Sequence, residues 1–214
     1  MAQEAQERME INDGGLKVAI MGSAAVGKTA ILNRFFENVF LEYYEPSGGD
    51  MYIFENEWGE GELEMHVTDV PGGDEFDEPR QKTIEESDAF VLVYSVEDAA
   101  SFREVARLRE MIFDEKQAGV PVVVVETKAD LPRSSWFKGA EAIPRQMETG
   151  WAVPHLMVSA KAGSDMSNIF QCLVQEAQQG LRRPSRGIQY ISSFNALQNI
   201  LSSIPDQTKK AISN

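Results

Sequence analysis

Near the start of the chain, Gly22-Ser23-Ala24-Ala25-Val26-Gly27-Lys28-Thr29 sets two glycines, a lysine and a hydroxyl in the order G-x4-G-K-[ST]. These residue types at this spacing suit a phosphate chain. The glycines let the backbone turn tightly, the lysine reaches the β- and γ-phosphates, and the threonine hydroxyl ligates Mg²⁺. The motif falls between an apolar run, Leu16–Met21, and the helix-like TAILNRFFENVF. A loop at a helix N-terminus turns its N–H groups toward an anion, and the helix dipole adds to the field. We expect the cradle to run from Gly22 through Ser23, Ala24, Ala25, Val26 and Gly27 to Lys28, Thr29 and Ala30.

The loop alone does not separate ATP from GTP. Thr127-Lys128-Ala129-Asp130 follows directly on the apolar VPVVVVE. A carboxylate at Asp130 accepts from the N1–H and the exocyclic amine of guanine, whereas adenine offers neither donor at that edge. A site with polar groups left unpaired rejects the wrong base. Further on, Ser159-Ala160-Lys161 follows the last apolar run, where a backbone N–H would meet guanine O6.

The elements that must hold these loops are legible as apolar runs. They are Leu16–Met21, Met51–Phe54, Leu63–Val67, Phe90–Tyr94, Val120–Val125 and Leu156–Val158. The run VPVVVVE is too short and too β-branched for a helix, so it reads as a strand buried on both faces. Between runs, Phe102, Val105, Leu108 and Met111-Ile112 share one helical face. So do Met166, Ile169-Phe170, Leu173-Val174 and Ala177. Strands alternating with helices predict an α/β fold: a mostly parallel six-stranded sheet with helices on both faces, in three layers.

The 214 residues include 20 Lys+Arg, 34 Asp+Glu, two His and one Cys, a net charge of −14. That balance argues against a nucleic-acid partner. The lone Cys172 excludes a disulfide framework and fits a reducing compartment. No apolar run approaches the roughly 20 residues of a membrane span. We read 1–15 as a polar arm, 16–181 as the nucleotide-binding domain and 182–214 as a basic tail. The tail holds five basic residues and one acidic, +4, against 15 and 33, −18, in the body. Ile191, Phe194, Leu197, Leu201 and Ile204 give it one amphipathic helical pattern. Three uses are open to it: folding back on the acidic body, docking a partner, or touching a membrane surface. His66 and His155 have no clustered carboxylates and read as core or surface histidines.

Taken together, the three motifs resemble the Ras-like small GTPases, over about residues 15–181. The resemblance implies the P-loop NTPase fold of small G proteins and a GTP-controlled switch. Val67-Thr68-Asp69-Val70-Pro71-Gly72 is similar to the family's D-x-x-G segment, which implies that Asp69 holds Mg²⁺ through water and that the Gly72 N–H senses the γ-phosphate. The stretch from Phe40 to Ser47 is similar to switch I. It implies that Phe40 packs on the base, Tyr44 covers the phosphates and Ser47 gives Mg²⁺ a second hydroxyl. SDAFVLVYSVEDAASF also resembles the Ras branch. GKTAIL and FVLVYSV give some likeness to the κB-Ras proteins.

Two departures from that pattern, Gly73 and Ala24, touch catalysis; Ser47 loosens switch I and Thr127 bears on guanine affinity. Gly73 stands where the family carries the glutamine that orients the attacking water. Ala24 puts a methyl where an activating protein's arginine and that glutamine would meet. Asp74 and Glu75 offer an alternative carboxylate for the water. Ser47 replaces threonine, and Thr127 replaces the commoner asparagine of N-K-x-D. With Lys28, Gly72 and Gly73 at the catalytic centre, the leading expectation is slow hydrolysis of GTP to GDP with Mg²⁺. Effector, exchange-factor and activating proteins would bind through switch loops at about 40–52 and 70–82. The runner-up is a hydrolysis-deficient module that stays loaded with GTP; a small ATP-dependent kinase shares the loop but leaves TKAD, SAK and VPG unexplained. Ala2 and the closing Ala211-Ile212-Ser213-Asn214 carry no lipidation signal. We therefore expect a cytoplasmic protein without a lipid anchor, reaching a membrane only through its tail or a partner.

Overall fold

The computed structural model describes residues 15–43, 49–58, 61–73, 77–116 and 119–182. The 1–14 part of the arm, Tyr44, Ser47, Asp74, Glu75 and the tail beyond Arg182 lie outside these residues, so the expectations placed on them are not addressed by the fold.

The elements run β1 (Leu16–Met21), α1 (Lys28–Glu37), β2 (Met51–Trp58), β3 (Gly61–Asp69), α2 (Asp77–Glu86), β4 (Ala89–Ser95), α3 (Ala99–Lys116), β5 (Val122–Thr127), α4 (Ile143–Gln146), β6 (His155–Met157) and α5 (Ser167–Arg182). The strands form one sheet in the order β2-β3-β1-β4-β5-β6. Every pairing is parallel except β2 with β3. The expected mostly parallel six-stranded sheet is thus the observed one. The α5 helix runs to Arg182, across the boundary we drew between domain and tail.

Side-chain alternation divides the core in two. Leu16, Val18, Ile20, Val91, Val93, Val123 and Val125 face α1 and α5, meeting Ile31, Leu32, Ile169, Phe170 and Leu173. The opposite face of the same strands gives Ala19, Met21, Phe90, Leu92, Tyr94, Val122 and Val124. These meet Ile84 on α2, Val105, Leu108 and Ile112 on α3, and Ile143 on α4. Strands covered on both faces need no polar residue until they end, which is why β4 and β5 are buried along their whole lengths. Cys172 is half-buried against the first of these clusters, and burial pushes its thiol up.

Parallel strands point their carboxyl ends the same way, so the loops after β1, β3, β5 and β6 gather along one edge. Ligands of open α/β sheets bind at that edge. The glycine loop, the D-x-x-G segment, TKAD and SAK lie at these four loops, and Phe40 lies between α1 and β2.

Candidate functional site

The loop after β1 has a backbone that few residue types can adopt. Gly22 has φ 150°, and a Cβ there would come within 2.2 Å of the Val93 carbonyl oxygen. Only glycine fits where the chain leaves the sheet. Ala25 at φ 58° and Gly27 at φ 104° then curl the backbone in the manner of an anion-binding nest. Gly27 caps α1 with no side-chain bond, and the first turn carries no acidic residue. The positive end of this helix is left to whatever enters the loop.

Lys28 opens α1 and is buried. Its Nζ donates to the carbonyls of Gly22 at 3.0 Å and Ser23 at 2.8 Å. Burial draws its pKa down to about 8; Asp69 opposes that shift and Arg80 adds to it. An ammonium held out of water beside carbonyls is relieved by an incoming anion. Thr29 follows, and its Oγ1 donates to Asp69 Oδ2 at 2.5 Å, joining α1 to the end of β3. Beyond Asp69, Gly72 lies directly on the loop. A Cβ at Gly72 would stand 2.2 Å from the Ala24 nitrogen and 2.3 Å from the Ser23 carbonyl carbon. The two sequence departures therefore flank one contact, with Ala24 beneath Gly72 and Gly73 just beyond it.

The ends of β5 and β6 supply the other half. The buried Thr127 hydroxyl lies 2.5 Å from the Val26 carbonyl of the glycine loop and 2.9 Å from that of Tyr94. It ties the glycine loop to the ends of β4 and β5. Lys128, at φ 59°, donates to Glu97 Oε1 at 2.6 Å. Ser159 Oγ donates to Asp130 Oδ1 at 2.5 Å and accepts from the Ala162 N–H at 2.9 Å. Asp130 is thus aimed by the loop after β6, although it is exposed on an open wall. Arg34 at the far end of α1 donates from Nε to the Ala160 carbonyl at 2.8 Å and from Nη1 to the Asn38 carbonyl.

These groups surround a cavity of about 230 Å³ lined by Gly27, Phe40, Thr127, Lys128, Asp130 and Ala160, among others. Val26, Ala30 and Lys161 also border it, whereas Lys28, Thr29, Asp69, Gly72 and Gly73 are not among its lining residues. Glu97 and Leu131 line the cavity too and were not singled out from the sequence. Also unforeseen is a buried chain behind the base loop. The Tyr94 hydroxyl donates to Glu126 Oε2 and lies 2.9 Å from His155 Nε2. Burial pushes the Glu126 carboxyl up and draws His155 down to about 4. His155 Nε2 stands 3.6 Å from Glu126 Oε2, but that oxygen already accepts from Tyr94 and its carboxyl is pushed toward the neutral form. It gives the imidazolium little support. His66 pairs with Glu64 on β3, away from the site.

A glycine loop between the first strand and helix of a mostly parallel sheet covered on both faces makes this a P-loop NTPase fold. The Ras family model matches residues 17–179. The Ras-like protein rasB of Dictyostelium discoideum is 30% identical over 171 residues, covering 79% of this chain and 86% of the relative. The chain belongs to the Ras family of small GTPases. Among the described residues, no helix is long and apolar enough to cross a membrane.

Proposed function

We propose that the protein is a GTP-binding switch that hydrolyses GTP slowly, in the cytoplasm, and signals through proteins that read its switch loops. Lys28 and the N–H groups from Ala24 to Ala30 bind the phosphates, with the Gly72 N–H at the γ-phosphate. Phe40, Lys128, Asp130, Ala160 and Lys161 bind the guanine and ribose, Ser159 aims Asp130, and Thr127 braces the glycine loop.

The donor set fits Mg²⁺. Thr29 Oγ1 and Asp69 Oδ2 meet at 2.5 Å, both are hard oxygens, and no group of three His, Cys, Asp or Glu among the described residues could hold a metal unaided. A cation bound by so few protein oxygens must take the rest from phosphates and water, as Mg²⁺ does. Thr29 and Asp69 would hold it, with Ser47 from switch I. When bound, it would neutralise phosphate charge. Water then attacks the γ-phosphorus in line with the leaving β-phosphate oxygen. Lys28 and the loop N–H groups stabilise the charge that develops on the phosphate oxygens.

The observation that carries the slow reading is Gly73, immediately after the glycine that lies on the loop. It has no side chain to aim the water, and loss of one such positioning group costs about 100-fold or more in rate. The tail from 182 and the arm before residue 16 lie outside this chemistry.

The test is the nucleotide carried by the purified protein, followed by single-turnover hydrolysis with Mg²⁺. Bound GDP with slow, measurable turnover supports the switch. Retained GTP without turnover replaces it with a loaded interaction module. An Asp130→Asn variant should lose GTP and gain xanthosine triphosphate by about 10-fold or more each; unchanged preference would remove the assignment of Asp130.

A further inference from the structure

The missing glutamine looks at first like a simple deletion, but the backbone at Gly73 is not one that a glutamine accepts. Gly73 has φ 145°, in the region that L side chains avoid. Its carbonyl accepts from Arg80 Nη2 at 2.9 Å. Arg80 sits on α2, seven residues along, and is only 2% exposed. The other arm of its guanidinium, Nη1, donates to Glu104 Oε1 at 3.1 Å. Glu104 lies on α3, where Arg107 holds both its oxygens at 2.9 Å. The α3 helix is fixed in turn by Val105, Leu108 and Ile112 in the core. One planar guanidinium thus links the Gly73 carbonyl to a helix anchored on the sheet. Its charge also reaches Lys28 at the phosphate end.

Resting on the GTPase reading above, we propose that Arg80 is a positioning residue that locks Gly73 in a glycine-only backbone conformation. A side chain at 73 can be put to use in hydrolysis only when this clamp is released. Slow hydrolysis then has two parts, an absent glutamine and a backbone that excludes it. Arginine suits the task because its fork meets two acceptors at fixed angles, which a lysine cannot do.

The experiment is a double-mutant cycle on the full chain: the native protein, Gly73→Gln, Arg80→Met and both together, with Arg80→Lys in the same pairing. Single-turnover GTP hydrolysis with Mg²⁺ is read alongside affinity for a fluorescent GDP analogue and melting temperature. With Arg80 in place, Gly73→Gln should raise hydrolysis by less than about 3-fold and lower the melting temperature. In the Arg80→Met background the same change should raise hydrolysis by about 10-fold or more, an interaction a merely structural role would not give. Arg80→Lys should allow an intermediate gain. A gain of about 10-fold with Arg80 intact, or the same response in both backgrounds (no response in either included), overturns the proposal. If Arg80→Met does not fold, the Arg80→Lys pair carries the same criterion. Failure of the native protein to bind the GDP analogue would instead overturn the nucleotide reading, and the two failures are told apart by that measurement.

Discussion

Thr127 offers the sharpest test of how the two halves of the site are joined. Thr127→Val keeps the shape and removes the hydroxyl that lies 2.5 Å from the Val26 carbonyl and 2.9 Å from the Tyr94 carbonyl. The position is 4% exposed, so water cannot replace the lost donor freely. A buried hydrogen bond contributes about 0.5–1.5 kcal/mol, and an acceptor left without its donor adds to the loss, so the change should cost about 1–2 kcal/mol. For a domain of this size that is a fall of about 2–8 °C in melting temperature. Because the bond spans the glycine loop and the base loop, the same loss should loosen the bound nucleotide. If about 1.4 kcal/mol of it falls on the complex, GDP leaves about 10-fold faster. Thr127→Ser keeps the hydroxyl and should retain most of both properties. Calorimetry and release of a fluorescent GDP analogue read the two quantities. A valine variant that melts and releases GDP like the native protein would refute the idea that this hydroxyl joins the halves.

Two further outcomes follow from the geometry. His155 is drawn down to about 4 by burial, against 6.5 when unfolded. The unfolded chain therefore takes the proton first, and stability falls as pH drops from about 6.5 to about 4, by up to about 3 kcal/mol from this group. Glu126, pushed up, works in the opposite sense from 4.5 upward, so the comparison is made with His155→Gln. That variant should lose less stability than the native protein on denaturant unfolding between pH 7 and pH 4.5, and equal losses would show that His155 does not stay neutral. Arg34→Met removes the donor to the Ala160 carbonyl. A charged hydrogen bond in a partly exposed place is worth about 1 kcal/mol, so GDP release should quicken by about 5-fold while the fold survives; an unaltered rate would show that the Ala160 loop needs no brace.

Much of the fold was legible because the sheet is covered on both faces. Strands β4 and β5, and β1 beyond the exposed Lys17, have no polar face, so VAIM, FVLVY and VVVV stand out as unbroken apolar runs. The glycine loop was legible because its geometry admits few residue types, as Gly22 against Val93 shows. The strands β2 and β3 were legible only in their apolar parts, since the structure extends them to Trp58 and back from Gly61. Acidic residues in an antiparallel edge pair carry no apolar signal. Arg80 and Glu126 were missed, and His155 was read only as a core or surface histidine, for a different reason. Charged and polar side chains read as solvated unless a partner is known, and their side-chain partners lie 24 to 61 residues away. Of the candidate site, the phosphate and base motifs were readable, whereas what holds Gly73 and what stands behind the base loop depended on contacts between elements.

The placement of Arg34 gives α1 a role as a measuring rod. The helix begins with the residues at the phosphate end and, six residues on, sends Arg34 to the carbonyl of the loop beside the base. At 1.5 Å per residue the two are separated by about 9 Å along the axis, a spacing set by regular helix rather than by loop conformation. Inserting one residue between Lys28 and Arg34 would turn the guanidinium by about 100° and move it on by about 1.5 Å, parting it from Ala160. The distance from phosphate to base is thus written into the chain as a number of residues, and any change of length between those two positions should part Arg34 from the Ala160 carbonyl.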